Sequence, residues 1–228
     1  MRKLMLAAAS LALMTGLAQA APADDKRKVS NPTAVVQSIT ADDIAGILRE
    51  IGGADVSISD VGGENGEKSE KVVSFNDGGV PFSIAITLCE KVDPGKCYAF
   101  AQLMMLEDKG YSYATLNTLN VDTVTLTLFK NEKEAYVGLA RIEIVDGGVT
   151  RERLANAITW YVVEVHDALK KLTQQVVAGV SADGKTKALA LDAAAPRPVK
   201  PGPEAITQMT NALERLADKR PLKKLNTK

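Results

Sequence analysis

Few residues in this sequence are equipped for chemistry: two cysteines, Cys89 and Cys97, one histidine, His166, and scattered carboxylates. The cysteines stand at the facing ends of two apolar stretches. Val80, Phe82, Ile84, Ile86 and Leu88 alternate with smaller residues ahead of Cys89, the period of a strand with one buried face. With Cys89 opposite Cys97, antiparallel pairing sets Leu88 against Tyr98, Ile86 against Phe100 and Phe82 against Met104. The other face then gathers Ser83, Ala85, Thr87, Ala99 and Ala101. A one-residue slip would exchange the faces of one strand, so the pattern favours this register. In an oxidising compartment the pair forms a disulfide; in a reducing one it stays as two half-buried thiols. Two thiolates and one distant histidine do not complete a tetrahedral zinc site. The spacing also lacks the C-x-x-C of a redox pair. No metal and no cofactor is expected.

The remaining chemistry is sparse. His166 lies at the edge of an apolar helix face and reads as a packing or surface residue. The acidic, glycine-rich segment 62–69 does not place its carboxylates as a calcium loop requires. There is no G-x-S-x-G elbow and no phosphate-binding glycine loop. No catalytic residue is assigned. The enzymatic alternative is an envelope hydrolase using a carboxylate pair such as Glu64 and Glu67.

The elements that must position these residues follow from address and periodicity. Residues 1–20 read as a secretory signal peptide: Arg2 and Lys3, an apolar run from Leu4 to Leu13 too short to span a bilayer, and Ala18-Gln19-Ala20 as cleavage site. This predicts a periplasmic protein beginning at Ala21. Residues 21–38 are polar and expected to be a flexible N-terminal segment, 39–175 an α+β domain, 176–202 an Ala/Pro-rich linker, and 203–228 an amphipathic helix with a basic tail. Charge is uneven along the chain. Residues 197–228 carry eight basic and three acidic residues, net +5, whereas 21–196 carry 18 basic and 25 acidic, net −7. Such a tail can contact its own domain, remain solvated, or make weak contact with an anionic membrane surface through Lys219, Arg220, Lys223 and Lys224. Aromatic residues make up 4% and none interleaves with a basic patch, so no nucleic-acid binding is expected.

Thr40 caps a helix carrying Ile44, Ile47, Leu48 and Ile51 and closed by Gly52-Gly53. Strands follow to about Val61 and over 71–75, ahead of the cysteine hairpin. Ser112 caps a short helix with Leu116 and Leu119; Val124, Leu126 and Leu128 alternate in the next strand, and 135–145 form another, with Gly138 marking close approach or a bulge. Thr150 opens the longest helix, whose apolar face includes Leu154, Ile158, Tyr161, Val165, Leu169 and Leu172. Trp160 and Val163 fall well off that face and suit either an intramolecular contact or a homodimer interface. Ile206, Met209, Leu213 and Leu216 form a narrow seam on the final helix, which should dock into a groove or pair with another chain.

Four local patterns, in order, resemble the YbjN family of bacterial sensory-transduction regulators. They are Ile39-Thr40-Ala41-Asp42-Asp43-Ile44 through Leu48 to Gly52-Gly53; Gly79-Val80-Pro81-Phe82 with the strand to Cys89 and Cys97 opening the next; Leu116-Asn117-Thr118-Leu119-Asn120; and Gly147-Gly148-Val149-Thr150-x-Glu152-x-Leu154. They span residues 39–172, with Leu119 where the family often carries Trp, and with the signal peptide and the C-terminal tail as additions. The resemblance implies a fold like that of type III secretion chaperones: a curved antiparallel sheet with helices packed on it, in the order α-β-β-β-β-α-β-β-α, here followed by a tail helix. It implies a non-enzymatic binding, regulatory or chaperone-like module with a protein or peptide partner, and no catalytic residues.

Overall fold

The computed structural model describes residues 29–61, 70–90, 93, 95–181, 197–208 and 210–211. The chain is α+β. Its elements run β1 (Val35–Val36), α1 (Ala41–Glu50), β2 (Ala54–Val61), β3 (Glu70–Asp77), β4 (Val80–Cys89), β5 (Cys97–Glu107), α2 (Tyr113–Asp122), β6 (Thr127–Asn131), β7 (Tyr136–Ile144), β8 (Val149–Thr150), α3 (Arg151–Ser181) and β9 (Pro198–Val199). Residues 203–208 are helical, as are 210 and 211. The main sheet is antiparallel in the order β2-β3-β4-β5-β7-β6, with β9 added beside β5; β1 and β8 form a separate two-stranded ribbon.

Strand β5 is the spine. One edge pairs with β7 from Ala99↔Ile144 to Glu107↔Tyr136, and beyond it Ile39 bridges Cys97 through two backbone hydrogen bonds of 2.8 and 3.3 Å. The other edge pairs with β4 from Cys89↔Cys97 to Ser83↔Leu103, and then with β9 at Met105↔Val199 and Leu106↔Pro198. The register is the one the alternation predicts, but the β4 ladder stops one pair short of Phe82 and Met104, and Leu88 sits at φ 55° between two paired neighbours.

Period-two alternation gives the sheet two unlike faces. The inner face carries Phe75, Phe82, Ile84, Ile86, Phe100, Met104 and Leu139, packed under α1, α2 and α3. Tyr161 of α3 lies at its centre, fully buried, with its hydroxyl donating to the Leu139 carbonyl at 2.9 Å and its ring edge-on to Phe82. Burial alone pushes the Tyr161 phenol far above its ordinary pKa. The outer face holds Val72, Ala85, Leu103, Met105, Tyr136 and Ala140, covered by Ala205 and Ile206.

The caps form as the sequence predicts. Thr40 and Asp43 make a reciprocal capping box on α1, and the Ser112 and Thr150 hydroxyls accept from the N–H groups of Thr115 and Arg153. Gly138 is a close approach: a Cβ there would lie 2.2 Å from the Phe129 ring.

Four boundaries differ from expectation. Residues 29–38 are not a loose lead-in. Val29 is buried, Ser30 donates twice to Glu50, and β1 pairs with β8. Hydrogen bonding to backbone and carboxylate, rather than apolar periodicity, orders this polar segment. Helix α3 runs through Ser181, past the domain boundary expected at 175. The linker 176–202 contributes β9, because β4 leaves the last β5 groups unpaired and an extended Pro-Val dipeptide supplies partners. Val124 and Leu126 precede β6 rather than belonging to it, and Val124 is 91% exposed.

Candidate binding surface

The small-residue face read from the alternation exists, but the long helix does not cover it; α3 packs on the large-residue face. Ser83, Ala85, Thr87, Ala99 and Ala101 are all buried. Next to them β7 turns its own outward residues to solvent. Ile142, opposite Ala101, is 43% exposed and Ile144, opposite Ala99, is 58% exposed. Thr127 lies on the neighbouring β6, while Thr123 and Thr125 lie in the connection from α2, off the strands.

A segment we term the strap, residues 197–208, crosses this face. β9 ties it to β5, the Glu107 N–H donates to the Arg197 carbonyl at 3.0 Å, and Ala205 and Ile206 pack on Ala85, Leu103 and Met105. The Thr210 hydroxyl, fully buried, donates back to Ile206 and Thr207 carbonyls. Beside the strap runs a groove of about 510 Å³, lined by Phe129, Tyr136, Ala140, Ile142, Ala205 and Gln208 among others. Glu134, in the turn between β6 and β7, hydrogen-bonds Glu204 of the strap. Desolvation, then this second carboxylate, raises the Glu134 pKa above the ordinary carboxylate value.

On the inner side charges organise differently. Glu50 accepts from Ser30 and from Arg151 at the start of α3. The Ser30 hydroxyl is the main cause of its lowered pKa, with Arg151 adding to it. Arg141 on β7 binds Glu143 and donates to the Thr125 hydroxyl, which hydrogen-bonds Glu164 of α3. His166 meets Asp77 at 3.1 Å and stands edge-on to Phe82; the turn at Gly78 allows this, since its α-carbon faces the imidazole. His166 therefore fastens the β3–β4 turn to α3. Gln102, fully buried opposite Ile84 and Arg141, directs its amide into this layer without a hydrogen-bond partner among the described residues.

Cys89 and Cys97 are bonded, with S–S 2.01 Å. Their sulfurs close the hairpin end of the sheet, far in sequence from the groove. Trp160 and Val163 are exposed at 62% and 44%, on the side of α3 away from the sheet. Ile206 is buried on the outer face; Met209, Leu213 and Leu216 lie outside the described residues, as do Glu64, Glu67 and the basic residues 219–224. Among the described residues no cluster of three metal-ligating side chains occurs, and no helix is long and apolar enough to cross a membrane. The sequence missed Ile142 and Ile144. Their alternation with Arg141 and Glu143 was the available signal, since it marks a strand with an apolar outer side.

No protein-family model, no curated protein and no solved structure matches this chain.

Proposed function

We propose that this chain is an exported, non-enzymatic binding or regulatory module of the YbjN type, acting in the periplasm on a protein or peptide partner. The partner segment lies along the outer side of β7, beside the strap. One observation carries this reading: Ile142 and Ile144 are exposed in a row next to a groove of about 510 Å³ whose walls are mostly apolar. An extended or helical segment with an apolar edge fits such a site. The resemblance to the YbjN family is an analogy at the level of fold and adds no residue roles.

The test is site-specific photocrosslinking in periplasmic extract, with the crosslinker at position 142. The expected result is a discrete adduct that disappears when Ile144→Glu is added and that position 57, on the distant edge strand β2, does not give. An adduct indifferent to Ile144→Glu, or equal capture from position 57, overturns the reading.

A further inference from the structure

The exposed side of α3 carries a second surface that the outer-face reading does not use. Along it the solvent-facing residues are Arg153, Asn156, Trp160, Val163, Asp167, Lys170 and Gln174, in alternating steps of three and four, with Lys170 ion-paired to Asp167 at 3.2 Å on the exposed surface. That spacing makes a straight seam along a helix, the geometry by which two helices pack at a shallow angle. A solvated helix face needs no large aromatic residue, yet this one places Trp160 at 62% exposure and Val163 at 44% near its middle. Val124, 91% exposed, widens the apolar area where it adjoins Glu164 and Asp167.

We propose that two copies of this chain associate through α3, antiparallel, with the two-fold axis at Trp160. The charges carry the choice of partner and direction. Arg153 lies seven residues before Trp160 and Asp167 seven residues after it. An antiparallel pair centred on Trp160 therefore sets Arg153 of each copy against Asp167 of the other, twice over. The same operation sets Asn156 against Glu164, an amide donor against a carboxylate. A parallel pair would set Arg153 against Arg153 and Asp167 against Asp167. An isologous contact of this kind is self-complementary by construction. The Trp160 rings meet at the axis, with Val163 of each copy flanking its partner's indole. This surface lies on the opposite side of the molecule from the strap, so both sites can be occupied together.

Trp160 is the single tryptophan of the chain, so its emission reports its own burial. The full-length mature protein is followed by sedimentation and by fluorescence across a range of concentrations. Mass should double as the emission maximum shifts to the blue. Trp160→Asp should remain monomeric at every concentration with an unchanged far-ultraviolet circular dichroism spectrum, as befits a side chain 62% exposed on a helix surface. Arg153→Asp and Asp167→Arg should each weaken association roughly tenfold, and the double exchange should restore it. A monomer throughout, a dimer that survives Trp160→Asp, or a double exchange no tighter than its single variants would each overturn the proposal.

Discussion

The two faces of one sheet are built from the same strands and behave as different materials. On the inner face Phe82, Phe100, Met104 and Tyr161 fill a continuous layer beneath helices, one of them 31 residues long. On the outer face Ala85, Ala99, Ala101, Ser83 and Thr87 offer little side-chain volume, and the described cover is a two-residue strand and a short helical segment. Hydrophobic stabilisation scales with the apolar area buried, so the inner face contributes more to holding the fold than the outer face does.

The largest effect separating the faces should come from truncation. Phe82→Ala removes a ring stacked on Phe75 at 5.1 Å and edge-on to Tyr161, and should cost about 3–5 kcal/mol in urea denaturation. Ile206→Ala, the outer-face counterpart, should lie near the low end for such changes, about 2 kcal/mol. Equal losses would abolish the distinction between the faces.

Reducing the Cys89–Cys97 bond tests whether the hairpin end or the helical layer sets the register. Its loop is short, so releasing it should cost roughly 2.5 kcal/mol while the inner-face layer keeps the strands paired. Amide exchange should therefore rise near residues 89–97 and stay unchanged at 99–106. A smaller effect is expected at Gly138, where alanine drives its methyl into the Phe129 ring. Gly138→Ala should destabilise by about 1–3 kcal/mol, and Phe129→Leu in the same chain should recover part of the loss.

The smallest effect is one of pH, and it has opposite signs at the two ends of the domain. Glu50 holds the N-terminal segment with a lowered pKa, so its contribution is present above its unfolded value of 4.5 and is lost as pH falls through the folded value. Glu134, raised by desolvation and by Glu204, contributes below 4.5 and loses that contribution as pH rises through its folded value. Acidification should increase amide exchange in residues 29–39 and decrease it in 197–208. A change of the same sign in both segments would remove this contrast.

Much of the fold was legible in residues alone. Thr40 with Asp43, Ser112 and Thr150 announced helix starts, because a short polar side chain satisfies N–H groups that the helix itself leaves open. The alternation from Val80 to Cys89 gave the hairpin register, since any slip would bury the wrong face. The polar residues 29–38 gave no such signal. Their order depends on Glu50 and Arg151, which lie far along the chain. The candidate site was half legible: the small-residue face could be read, but not that Ile142 and Ile144 would stand open beside it. Whether an outward strand residue is covered depends on what crosses above it, and sequence spacing carries no record of that.

By itself, then, the sequence determined the helix starts, the cysteine hairpin and its register, and the division of the sheet into a large-residue and a small-residue face. All of these rest on local backbone hydrogen bonding and on the period of side-chain direction. Only the tertiary structure decided which face receives α3, that Pro198–Val199 completes the edge of β5, and that Trp160 points outward. Those outcomes turn on volumes and unpaired backbone groups meeting across long loops, and such meetings exist only once the chain has closed on itself.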